Sequence, residues 1–139
     1  MNDRDFLAAF EACAIAASDF HHADHVRVAW IYLQEYPLLK AIERFTMSLK
    51  RFANHHGVTG IYHETITWAY LLVIHERMQR DNTGLGWEHF CAANSDLFAR
   101  SPAIIERYYS RETLSSDLAR RTFVLPDCGE LARRSTLSA

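Results

Sequence analysis

Glycine and proline are scarce in this chain, five and three among 139 residues, so few positions can break a helix or force a tight turn. Cysteine is scarce too. Cys13, Cys91 and Cys128 are odd in number, far apart and free of any C-x-x-C pair, which argues against a disulfide framework and for a reducing compartment, the cytoplasm. No uninterrupted apolar run approaches the roughly 18 residues of a membrane span, and the opening MNDRDF is charged where a signal peptide would be apolar. The chain is therefore expected to be neither exported nor membrane-embedded. Lysine and arginine are scattered and the net charge is −2, so the basic footprint of a nucleic-acid binder is missing. Repeats, low-complexity tracts and linkers are missing as well, which predicts one domain over residues 1–139.

What is present is helical periodicity. Apolar residues recur three and four apart through most of the length, and this spacing predicts an all-α fold: a bundle of four to five main helices with short C-terminal helices and an extended tail. A chain of this size buries roughly 68–70% of its unfolded surface and needs no disulfides to stand. A first helix is expected from Asp3 to Ala17, then a second capped by Ser18 or Asp19 and running to Tyr36 before Pro37. The third spans Leu38 to His56 and ends at Gly57. Tyr62–Met78 is apolar on almost every side, so it is expected at the centre of the bundle, closed by the turn residues Asp81 to Gly84. A further helix is expected over Trp87–Ala93 and on towards Phe98, and another capped by Ser101-Pro102 through Tyr109. Ser115 or Ser116 starts a last short helix to Thr122. Phe123–Pro126 is read as a tail packed back on the bundle, with Ala132–Ala139 frayed.

The compositional oddity is eight histidines. Stepping about 100° per residue round each helix places His22 and His25 opposite the polar Asp24, Arg27, Gln34 and Glu35. His56 falls last on the inner line of the third helix, and His63 and Glu64 begin the central one. Short connections make consecutive helices antiparallel, so these five residues converge at one end of the bundle. Converging imidazoles with one carboxylate suit a transition-metal ion, iron, copper or zinc. The candidate ligands are His22, His25, His56 and His63, with Glu64 as general base or further ligand and Tyr62 as a proton donor beside it. Two known patterns are excluded: Thr67 stands where the second ligand of H-E-x-x-H belongs, and no E-x-x-H pair of a di-iron bundle occurs. His75 lies about 18 Å further along the axis, too far to share the site. Asp24 and Arg27 read as a solvated pair, with Asp24 alternatively orienting a ligand histidine; the aromatics Trp30, Tyr32, Tyr36, Trp68 and Tyr70 read first as packing, with Tyr32, like Tyr62, near enough to line a pocket or donate a proton; and Met47 and Ile31 are apolar residues on otherwise polar faces that leave room for self-association.

The runs HHADHVRVAWIYL and YHETITWAYLLVIHERM, with the tail ARRTFVLPD, resemble a family of small all-helical bacterial proteins. The resemblance implies the helical fold and no particular activity. In general plan the chain also resembles the histidine-ligated bundles of the DinB type, a likeness of fold alone. The expected function is a metal-dependent enzyme acting on a small organic substrate, by oxidation with iron or copper and by hydrolysis or lyase chemistry with zinc. The alternative is a binding or interaction module whose buried histidines form a polar cluster.

Overall fold

The computed structural model describes residues 1–129, and among these the chain is all helix and turn. Helix α1 is Asp3–Glu11, α2 His22–Glu35, α3 Leu38–His55, α4 Glu64–Asp81 and α5 Trp87–Ala93, followed by the short α6, Arg111–Leu114, and α7, Asp117–Arg121. Single 3₁₀ turns join them at Ala17–Asp19, Thr59–Ile61, Ser95–Phe98 and Ile104–Arg107. The expected bundle, short C-terminal helices and packed tail are all present, and the expected fraying of Ala132–Ala139 lies outside the described residues.

The helix ends show which residues carry the boundaries. At the end of α3, Gly57 takes φ +70°, its N–H donates to Asn54 and that of Val58 to Ala53, the paired bonds of a Schellman stop. The end of α1 repeats this geometry with Cys13 at φ 56°, Cys13 N–H bonding Phe10 O and Ala14 N–H bonding Ala9 O. That stop cuts α1 six residues short of the expected Ala17. The start of α2 also moves: a 3₁₀ turn at Ala17–Asp19 comes first, and His21 is the N-cap, its N–H held by the Asp24 carboxylate at 2.9 Å. Asp24 therefore does not pair with Arg27, which reaches back to Asp3 at 2.9 Å and lies over the Phe6 ring. Between α5 and α6 the expected helix from Pro102 shrinks to the turn Ile104–Arg107.

The centre of the bundle is α2 rather than α4. Val26 and every residue from Val28 to Leu33 are buried, because α1, α3 and α4 all pack around this helix. Ile31, expected on a polar face, is only 3% exposed, whereas Met47 is exposed as expected. Helix α4 buries Thr65, Ala69, Leu71 and Ile74 and leaves Leu72 open to solvent. A buried phenol ties the first three helices: Tyr32 Oη donates to the Glu11 carboxylate at 2.8 Å and meets Ser48 Oγ at 2.9 Å.

The C-terminal tail is fastened by polar bonds made inside an apolar setting. Thr65, fully buried, donates to Thr122 O at 2.8 Å and accepts from Val124 N–H at 3.1 Å. Tyr109 Oη donates to Val124 O at 2.7 Å, and Phe123 stacks on Trp68 with ring centroids 5.3 Å apart. Replacing Thr65 by valine keeps the shape but orphans a backbone donor and acceptor, so Thr65→Val is expected to lower stability by about 1–3 kcal/mol. Urea denaturation checks this: the midpoint falls, and a Phe123→Ala change made on top of it adds less than it costs alone because the tail is already loosened.

Candidate functional site

The convergence expected from topology is present, but it builds a cavity. A space of about 600 Å³ opens between the start of α2, the second half of α3 and the first half of α4. From α2 it is lined by His21, His22, His25, Val26 and Ala29; from α3 by Phe45, Leu49, Phe52 and Ala53. From α4 and the turn before it come Ile61, Tyr62, His63, Ile66, Thr67, Tyr70, Leu71 and Ile74, and Arg100 closes one side from the loop after α5. The lining is graded. Leu71 and Ile74 at 0% exposure, Ala29 at 2% and Phe45 at 4% form the floor, while His21, Ile61 and Arg100 are exposed at the mouth.

Two of the candidate ligands, His63 and His22, have another occupation. His63 is the N-cap of α4, its Nδ1 accepting from Ile66 N–H at 3.1 Å while its Nε2 lies 2.8 Å from Leu114 O. A carbonyl only accepts, so Nε2 carries the proton and both ring nitrogens are used. His22 Nε2 likewise donates to Leu97 O at 2.8 Å, with the Tyr70 ring edge-on to the imidazole at 5.1 Å. His56 does not line the cavity; its ring packs on Phe52 at 4.4 Å and its Nε2 is buried without a partner among the described residues. Glu64 accepts a hydrogen bond from Tyr62 Oη. That bond, after burial itself, pushes the phenol of Tyr62 well above its ordinary pKa.

Among the described residues no three histidine, cysteine, aspartate or glutamate side chains stand together as a group that could hold a metal ion. The expected metal-dependent function is corrected on that ground. The rotation of each helix was read well enough to bring the histidines to one end. What the rotation could not show is that two of the imidazoles spend their N–H on carbonyls of the chain's last third, which a wheel drawn on isolated helices does not contain. At the other end His89 Nε2 meets Asp81 at 3.1 Å, far from the cavity.

Of the candidate ligands that line the cavity, His25 leaves both ring nitrogens uncommitted. It makes no hydrogen bond among the described residues, and its ring lies flat on Phe20 at 4.4 Å and 4°. Phe20 in turn meets Phe10 at 5.0 Å and Phe52 at 4.9 Å, so His25 is the polar edge of an aromatic wall. Burial, reinforced by neighbouring His22 and only partly opposed by Asp24, lowers its pKa to about 4. It is neutral at pH 7 and offers the cavity one donor and one acceptor.

Sequence reasoning missed the loop wall. Arg77 on α4 grips Asp96 through two parallel bonds of 3.0 and 2.9 Å and also holds Asn94 at 3.0 Å. Arg107 adds a further bond to Asp96 at 3.3 Å. With His22 on the carbonyl of Leu97 and a bridge between Arg100 and Ala103, the segment carrying Arg100 is anchored on both sides. Nothing in the A-R-S-P stretch itself marks Arg100 as a cavity residue, since helical periodicity does not reach a loop.

Comparison of the chain with family models, with curated proteins and with solved structures gives no match, so the cavity is read from its own geometry.

The His25 environment has a consequence for acid stability. The unfolded chain takes up a proton near pH 6.5 and the folded one near pH 4, so the unfolded state binds more protons between these values and stability falls as pH is lowered through that window. The loss reaches up to about 3 kcal/mol and is complete near pH 4. His25→Phe is expected to flatten this part of the profile in urea titrations from pH 7 to 4. Carbon-13 detected titration of the wild type checks the cause, since His25 should keep its neutral signature until the pH approaches about 4.

Proposed function

We propose that this protein is a binding module for a small organic molecule held in the cavity between α2, α3 and α4. The observation that carries the reading is the grading of the lining: a deep apolar and aromatic floor with the polar groups confined to the upper wall and mouth. Ligand sites are usually concavities of about 300–1,000 Å³, mostly apolar, with a few convergent polar groups that fix orientation. A cavity of about 600 Å³ with His25 turned to it and Thr67, Tyr70 and Tyr62 around it has that composition. Simple core packing gives a poorer account, because interiors close to crystal density and rarely leave voids larger than a water molecule.

Binding is supported over a reaction by how the polar groups are engaged. The imidazole of His63 has no free nitrogen, that of His22 has one, and the Glu64 carboxylate is paired with Tyr62 outside the lining. A cytoplasmic setting belongs to the same proposal; it is supported by the three cysteines, all free. Among the described residues no helix is long and apolar enough to cross a membrane.

The test uses N-phenyl-1-naphthylamine, a neutral dye that brightens in apolar surroundings. Wild-type protein is expected to show saturable one-to-one enhancement. Thr67→Trp and Leu49→Trp, which fill the cavity from opposite walls, are expected to weaken dye binding at least about tenfold with unchanged helical circular dichroism. Absence of saturable binding, or equal affinity in both folded variants, would sink the proposal.

A further inference from the structure

The cavity lining contains no aspartate or glutamate, and one side chain in it carries a permanent charge, Arg100. That cation sits at the mouth and is exposed. Among the described residues it has no carboxylate within ion-pair distance. The His25 imidazole below it is neutral at pH 7, its pKa lowered to about 4. A single cation over an apolar well is complementary to a molecule with the opposite arrangement.

We infer that the cavity selects an amphipathic monoanion, a carboxylate on an apolar body, whose carboxylate is held by Arg100 at the mouth while the body lies against Phe45, Leu71 and Ile74. This rests on the binding reading above and names the ligand class for the same site. Guanidinium is suited to the task because its planar fork matches the two carboxylate oxygens. The backbone that carries it is held by bonds from α2 and α4. The His22 imidazole fixes the Leu97 carbonyl at 2.8 Å and Arg77 fixes Asp96, so the three residues that follow leave from a held point and return through the Arg100–Ala103 bridge. The carboxylate therefore meets a guanidinium carried on a held backbone, which reduces the ordering cost of binding. A cationic or zwitterionic headgroup would meet the same guanidinium unfavourably, with no lining carboxylate to offset it.

The test is displacement of N-phenyl-1-naphthylamine at pH 7.5 and low ionic strength by decanoate, decanol and decylamine, all below their aggregation concentrations. Wild-type protein is expected to bind decanoate about tenfold more tightly than decanol, with decylamine weaker than either. Arg100→Gln should bring decanoate down to decanol without moving decanol, and Arg100→Lys should keep part of the preference. Equal binding of decanoate and decanol by the wild type, or a preference that survives Arg100→Gln, overturns the headgroup assignment while leaving the cavity as a binding site. Failure of all three to displace a bound dye overturns the ligand class, and failure of the dye to bind overturns both.

Discussion

Two imidazole N–H groups decide what the histidine-rich end of this bundle is. His22 and His63 donate to backbone carbonyls 75 and 51 residues further along the chain, Leu97 and Leu114. Buried or half-buried polar atoms must find partners, and here they find them in the C-terminal third, which is thereby clamped over the first four helices. The same two bonds hold the wall of the cavity in place. His63 is the more constrained of the two, since its other nitrogen caps α4.

Helix α2 then gives the clamp something rigid to close on. Its residues are buried on several sides at once, against α1 through Tyr32 and Glu11, against α3 through Ser48, and against α4 across the cavity. Because its first turns also carry His22 and His25, the most buried helix positions the most polar part of the site. Around His25 the core stays open, bounded by Phe20 and by Phe52, whose rings meet edge to face.

Much of the fold was legible because most helix boundaries are written in ordinary chemistry. Gly57 ends α3 at the expected place, Asn82 ends α4 in a left-handed conformation, and Ser116 caps α7 through Ala119 N–H. The errors have a common cause. Cys13 performs the stop that glycine usually performs, and Cys in a run of alanines gives no sign of it. The apolar surface of α4 suggested a fully enclosed helix, but α2 is the one enclosed. Ile31 was misplaced because a single polar stripe was assumed for a helix covered on three sides. For the site, helical phase brought His22, His25 and His63 to one end and Tyr62 beside them; His56 was carried past the cavity. Arg100 and the Asp96 anchor were out of reach, since they lie in irregular backbone whose position is set by Arg77 and His22 and not by its own pattern.

The central claim is that the graded cavity is a binding site, and methyl chemical-shift mapping tests it most directly. In a titration of the isoleucine-, leucine- and valine-labelled protein with decanol, the account predicts saturable shifts of Val26, Leu49, Val58, Ile66, Leu71 and Ile74, all lining residues. The exposed Leu39, Leu85 and Leu125 should stay still. Shifts confined to those exposed methyls, or none at all, would contradict it.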